Sequence, residues 1–397
     1  MGGSSVYNRR QLPSKPRFWC TLAALVAGLA SLSAAPVRGL TDSARLASLY
    51  DTILHGRIDE ARRTLSRQCA PAPSEACLAL DEVALWWQLQ QDPDSRAHDA
   101  ALQRAAVAAI EAAGRWTRRE PERAEAWFYL AGAYAPLTEW RILRRERLAA
   151  ARDAKRIKDA LERAVALDPD LKDAYFGIGL YHYYADIAPA ALKVLRFLLF
   201  LPGGDRALGL REMLTTREQG VLLRGEADYQ LHYIYLWYEQ QPARALTLLR
   251  GLEARYPTNG VFLARIADVE RAYLKDRTAS RASSERLLDR ARSGRVAFAP
   301  IYEARARLAL AGDLVAIGEA AQAIAVVAPV IDRGMTAPYG APATAHLVIG
   351  QAQARLGDRP RAIAALERAI ALAPDDDPDA IKTRARQALS AVRAQAR

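Results

Sequence analysis

Along most of the chain, apolar residues return every third or fourth position with arginine and acidic residues between them, the spacing of a helix with one buried stripe. Strand-like runs rich in Val, Thr and Ile are scarce, so the pattern predicts an all-α protein. Near the C-terminus, ATAHLVIGQAQARLGDRPRAIAALERAIALAP places Gly350, Ala362, Leu366 and Pro374 at intervals of twelve, four and eight residues. Upstream, EADYQLHYIYLWYEQQPARALTLLRGLEARYP places Tyr233, Ala245, Leu249 and Pro257 at the same intervals. The recurrence describes two helices packed back to back. Small residues such as Gly350 and Ala362 let the helices approach, Leu366 fills the space between them, and Pro374 ends the second. Gly357 and Asp358 stand at the turn, where glycine supplies the positive φ that closes a helix.

Other stretches follow the pattern more loosely. AEAWFYLAGAY offers Trp127, Leu130, Ala131 and Tyr134, and DAYFGIGLYHYYAD, residues 173–186, offers Tyr175, Ile178, Gly179 and His182 at the matching places. After Ala131 the expected partner Leu161 comes 30 residues on, where the regular units require 16. The surplus equals about four helical turns, which predicts one long projecting helix over residues 136–169. Degenerate units are expected around Leu49–Leu65, Trp86–Ile110, Phe262–Leu288 and Leu308–Ile331, with a polar capping helix over residues 378–397.

These spacings resemble the tetratricopeptide repeat, a unit of about 34 residues built from two antiparallel helices. The resemblance covers residues 41–397 and implies an α-solenoid whose first helices line a concave groove while second helices form the outer wall. It further implies a non-catalytic scaffold or adaptor that holds a protein or peptide in that groove. Carried onto this chain, the groove-facing positions are Asp173, Phe176, Leu180, Tyr183 and Tyr184, followed by Gln230, Ile234, Trp237 and Tyr238. Of these, Asp173, Phe176, Tyr183, Tyr184, Gln230, Trp237 and Tyr238 are the partner-binding candidates. Tyrosine and tryptophan join a large contact area to a polar tip, which suits recognition. For Tyr183, Tyr184, Trp237 and Tyr238, binding and plain packing both stay open. Tyr175, Ile178, His182, Tyr229 and Tyr233 take packing places, and His182 and His232 read as hydrogen-bonded core residues because no metal-ligand spacing surrounds them.

No regular repeat explains IAPAALKVLRFLLFLPGGDRALGLREML, residues 187–214. Its apolar run, Ala190 to Leu201, is too short to span a bilayer. It suits a buried insertion, a membrane-surface contact or a shelter for a hydrophobic ligand. Gly177, Gly179, Pro189, Leu192, Lys193, Gly204, Asp205, Arg206 and Gly209 resemble the corresponding segment of the tetratricopeptide repeat protein 39 family. That resemblance implies a lipid- or membrane-associated adaptor, so the alternative function is an envelope carrier using residues 187–214.

Charge and cysteine content add a compartment. Residues 1–39 hold Arg9, Arg10, Lys15, Arg17 and Arg38 with no acid, so removing them lowers the net charge from +11 to +6. The basic start, an apolar stretch from Phe18 to Leu32 and the small residues after it form an export signal, cleaved after Ala35 or Gly39. The alternative is a retained anchor over residues 18–35. The expected location is therefore exported and periplasmic, with residues 40–397 as the solenoid: degenerate repeats over 40–120, central repeats over 121–260, C-terminal repeats and cap over 261–397. Cys69 and Cys77 flank a short loop and are expected to form a disulfide there. The remaining arginines alternate with acids, which argues against nucleic acid as a partner. No nucleophile elbow, phosphate loop, zinc pair or calcium loop occurs, so no enzyme, cofactor or metal is expected.

Overall fold

The computed structural model describes residues 38–188, 203–377 and 379–394. Residues 1–37 of the expected export signal and the apolar run Ala190–Leu201 lie outside the described residues. Among the described residues there are seventeen α-helices and no strand. They form eight antiparallel hairpins and a cap: α1 Ser43–Leu54 with α2 Ile58–Arg67, α3 Ser74–Leu89 with α4 Asp99–Arg119, and α5 Ala124–Leu143 with α6 Arg147–Leu167. Next come α7 Ala174–Ile187 with α8 Arg206–Gln219, α9 Arg224–Tyr233 with α10 Pro242–Arg255, and α11 Gly260–Ala272 with α12 Arg277–Arg292. The chain ends with α13 Ala299–Ile317 and α14 Ala320–Asp332, α15 Ala341–Arg355 and α16 Arg359–Leu372, and the cap α17 Ile381–Ala394.

Each helix packs chiefly on its neighbours in sequence, which is the layering of a solenoid. Turn chemistry starts and stops the helices locally. Gly357 closes α15 with φ 77°, and the Asp358 side chain caps α16 by accepting from the Arg361 N–H at 3.1 Å. In the same way Asn259 caps α11 and Asp276 caps α12. Leu366 lies where a Cβ on Gly350 would stand only 2.6 Å from it, so the glycine is what admits the leucine between α15 and α16. Gly179 and Gly209 do the same for α7 and α8 more severely. A Cβ on either would meet the other's carbonyl oxygen at 2.7 Å or less, so the two backbones touch without side chains between them.

The long projecting helix expected over 136–169 is instead two helices. The chain reverses at Arg144–Glu146, with Arg145 at φ 65° and the Arg144 guanidinium fixed to Asp99 and to the carbonyls of Pro93 and Ser95. The surplus residues therefore lengthen both arms of hairpin three, to twenty and twenty-one residues. Asp153, buried between Arg141 of α5 and Arg156 of α6, ties the arms together.

One hydrophobic core runs from Leu46 to Ala306, followed by two smaller ones shared by α13–α15 and α15–α17. The large first core arises because the first helices of the opening two hairpins reach across to those of later hairpins.

Candidate functional site

The concave side of this solenoid is divided. At the N-terminal ends of the first helices it is filled by the chain itself. Leu54 of α1 lies against Gly225 of α9, where an added Cβ would come within 2.5 Å of its Cδ1. The Leu54 carbonyl accepts from Asn259 Nδ2 at 2.9 Å, and the Tyr256 hydroxyl donates to Asp51 at 2.7 Å. From α3, Trp87 is fully buried, with its ring 4.8 Å from that of Tyr229 and 6.0 Å from that of Phe262. Further along, Gln91 accepts from the Tyr302 hydroxyl and Asp92 from the Tyr339 N–H. Hairpins one and two are thus seated on hairpins five to eight.

At the centre of that contact Glu226 of α9 accepts from the Tyr50 hydroxyl at 2.9 Å and from the Trp87 indole N–H at 3.1 Å. Gln230, one turn on, donates to Glu139 of α5 at 2.8 Å. Burial raises the pKa of Glu139 well above the usual carboxylate value, helped by the neighbouring Glu226 charge, and burial raises Glu226 too.

The C-terminal ends of the same first helices stay open and aromatic. After Tyr233, α9 continues through Ile234–Tyr238 as one turn of π-helix, closed by the Glu239 N–H donating to the Ile234 carbonyl at 3.0 Å. The widened turn sends two adjacent rings to different neighbours. Tyr238 meets Tyr184 of α7 edge to face at 5.5 Å. Trp237 stacks on Tyr233 at 4.5 Å and donates its indole N–H to the Tyr273 hydroxyl, just past α11, at 2.9 Å. Tyr184, Trp237, Tyr238 and Tyr273 are 36%, 52%, 45% and 44% exposed, a chain of rings across the ends of three successive first helices. Beneath it the Tyr183 hydroxyl donates to Glu239 at 2.6 Å, and Arg206 of α8 donates to the same carboxylate at 2.8 Å. The Arg206 contact, joined by that of Tyr183, holds the Glu239 carboxyl below the usual range.

The seven candidates of the sequence reading therefore separate. Tyr184, Trp237 and Tyr238 are exposed and lie together. Asp173, Phe176 and Tyr183 are buried, which corrects the expectation that they face an open groove. Asp173 accepts the backbone N–H groups of Val221, Leu222 and Leu223 and so holds the loop between α8 and α9. Gln230 is half-buried and bridges acids rather than facing a partner. The side chains of Asp173, Tyr183 and Gln230 are taken up by partners within the chain: the loop after α8, Glu239, and the acids Glu139 and Glu226. Tyr273, Tyr50, Trp86, Trp87, Glu139 and Glu226 were missed. The adjacent tryptophans carried a signal, since neighbouring helix positions point about 100° apart and cannot both face one partner helix.

His182 bonds Glu212 at 2.7 Å, and buried His232 donates from Nδ1 to the Tyr229 carbonyl. Cys69 and Cys77 are joined by a disulfide across the α2–α3 loop. Among the described residues no group of three or more His, Cys, Asp or Glu side chains is placed to hold a metal, and no helix is long and apolar enough to cross a membrane.

No family model and no curated protein sequence matches this chain. Among solved structures it is similar to the APC/C hetero-tetramer Cut9-Hcn1, at 13% identity and a TM-score of 0.40 over 86% of this chain and 62% of that one. It is also similar to the human IFIT1 dimer with m7Gppp-AAAA, at 13% identity and a TM-score of 0.44 over 90% of this chain and 87% of that one. The chain thus spans somewhat less than two thirds of the first of these. Helix pairing within the chain itself establishes the class: an all-α solenoid of antiparallel helix pairs, a repeat architecture compatible with a protein-interaction scaffold.

Proposed function

We propose that this is an exported, non-catalytic scaffold of the tetratricopeptide type that captures a protein or peptide segment on its aromatic edge. The observation that carries the reading is the accessible row Tyr184, Tyr238, Trp237 and Tyr273, where the other large aromatic clusters among the described residues are buried. Trp and Tyr at the centre of an interface supply most binding energy in known complexes, each worth about 2 kcal/mol or more when removed. The rings are pre-positioned by neighbours, which lowers the ordering cost of binding. Export to an oxidising compartment is supported by the basic and apolar N-terminal sequence and by the disulfide pair.

A photo-crosslinking residue placed at Tyr238, with a second variant carrying it at exposed Leu372 as control, tests the proposal in cells. Tyr238 is expected to give a discrete adduct that the control lacks. Trp237→Ser with Tyr184→Ser should reduce that adduct about tenfold or more while leaving the helical circular dichroism intact. An adduct of undiminished yield in the double variant would remove the aromatic edge as the binding surface.

A further inference from the structure

We propose that Glu139 and Glu226 share one proton and form a pH-sensitive latch: while the proton is held the first two hairpins stay seated in the groove, and when it is lost they undock. The geometry is an interface. Glu226 sits on α9 and Glu139 on α5, and Gln230 lies within 2.8 Å of Glu139 and 3.5 Å of Glu226 through one amide nitrogen. The other donors to the pair come from the seated hairpins, the Tyr50 hydroxyl of α1 and the Trp87 indole of α3, both to Glu226, and the Trp86 indole of α3 lies near Glu139.

Many buried acids of this chain are met by a cation, and those that are not include Glu82, Asp168, Asp173 and Asp313; buried Glu226 and half-buried Glu139 lack one too, and differ in being bridged to each other by the Gln230 amide. Glu125 is met by Arg123, Asp153 by Arg141 and Arg156, Asp228 by Arg217 and Arg255, Glu270 by Arg250, and Glu303 by Arg307 and Arg333. Among the described residues no Lys or Arg pairs with Glu139 or Glu226. Two carboxylates reached by one amide nitrogen and met by no cation repel each other when both ionise, so the pair retains a proton where isolated carboxylates would not. Burial shifts both groups in that direction, and the Glu226 charge shifts Glu139 further. Glu226 has the richer set of donors, which favours its charged form and leaves Glu139 as the proton's holder.

The surroundings contain few competing groups. From α1 the titratable neighbour is Tyr50; from α3 it is Glu82, buried beside Leu137 of α5. From α7 comes Tyr184, and from α9 Tyr229. Arg265 of α11 lies over the Tyr233 ring at 5.9 Å rather than against either acid. As pH rises, the second ionisation places like charges against one another and against an interface whose donors all come from neutral groups. The contact that yields is the one between the seated hairpins and α9, because α5 and α9 are each held by their own hairpin partners.

Amide hydrogen exchange of the full chain between pH 6 and pH 9, corrected for the intrinsic pH dependence, reads the latch directly. Protection of residues 43–54 and 74–89 is expected to fall about tenfold or more across this range while residues 341–372 keep theirs. Glu139→Gln, which imitates the protonated side chain, should abolish the fall over residues 43–54; Glu226→Gln should do so too if the first variant folds poorly. Glu82→Gln should leave the fall over residues 43–54 in place, while removing the pH dependence that the buried Glu82 carboxyl itself gives residues 74–89. The proposal is overturned by a flat wild-type profile, by Glu82→Gln flattening the profile of residues 43–54 as Glu139→Gln does, or by an equal loss over 341–372, which would mean global unfolding. None of these outcomes depends on the aromatic edge binding anything.

Discussion

Replacing Leu54 and Gly225, singly and together, tests whether the N-terminal hairpins occupy the groove. Leu54 of α1 is 1% exposed, and its Cδ1 would lie 2.5 Å from a Cβ placed on Gly225 of α9. Leu54→Ala empties that space and should cost about 2–5 kcal/mol. Gly225→Ala alone gains about 1 kcal/mol of helix propensity but overfills the contact at about 1–3 kcal/mol, for a net loss of about 0–2 kcal/mol. In the double variant the new methyl enters the space that Leu54 vacated. Only the Tyr256 hydroxyl, 2.9 Å away, still crowds it. The double variant should therefore be more stable than the sum of the singles predicts, by a coupling of about 1–3 kcal/mol. Urea unfolding followed by tryptophan fluorescence is the assay, since Trp86 and Trp87 sit in the same contact. Unseated hairpins would make Gly225→Ala simply stabilising and the cycle additive to about 0.5 kcal/mol; that result would refute the filled groove.

Three further outcomes are expected. His232 is buried, and burial followed by the nearby Arg265 charge pushes its pKa down to about 3 from 6.5. The folded protein therefore excludes a proton that the unfolded chain binds, so His232 by itself contributes a loss of about 1.4 kcal/mol per unit as pH drops from 6.5 towards 3; in urea titrations run from pH 7 to pH 5 the stability of His232→Gln relative to the parent should rise by that amount per unit below 6.5. Glu82 is buried with neither carboxylate oxygen hydrogen-bonded, and burial raises its pKa. Glu82→Met should stabilise by about 1–3 kcal/mol at pH 7, and a loss of 1 kcal/mol or more, read as a lowered urea midpoint, would show that the carboxyl has a partner. Cys69 and Cys77 close a loop with a sequence separation of 8. The Cys69→Ser and Cys77→Ser double variant should lose about 2–3 kcal/mol, and reductant should lower the melting temperature of the parent but leave the variant unchanged.

The hairpins were legible because their contacts are local. Gly350 or Tyr233, then an alanine and a leucine at intervals of twelve and four, mark the crossing of two adjacent helices, and Gly350 against Leu366 shows why a small residue is required there. The reversal at Arg145 was not legible, since it depends on Arg144 finding Asp99 and two carbonyls in the preceding hairpin. Local periodicity also runs straight through residues 136–169. The filling of the groove was hidden for a related reason: Tyr50 and Glu226, or Gln91 and Tyr302, are linked across many repeats and leave no periodic trace. Aromatic density pointed to α7 and α9, but the reading assigned one face to residues that the π-turn sends to separate neighbours.

Helix α9 joins the two halves of the groove, and its titrating groups work in opposite directions. Glu226 near its start belongs to a pair that keeps a proton the unfolded chain would release, so it lowers stability as pH climbs from the ordinary carboxylate value of 4.5. His232 near its end refuses a proton that the unfolded chain would take, so it lowers stability as pH falls below 6.5. Between those two values the slopes oppose, so the contribution of this helix should be flatter there than either group alone would make it. Above that window only the acid pair acts. It acts at the N-terminal end, where Tyr50 and Trp87 are attached, and not at the Trp237 and Tyr238 end. A rise in pH should therefore loosen the seated hairpins before it disturbs the aromatic edge, and tyrosine and tryptophan accessibility at residues 237 and 238 should hold constant while residues 86 and 87 become exposed.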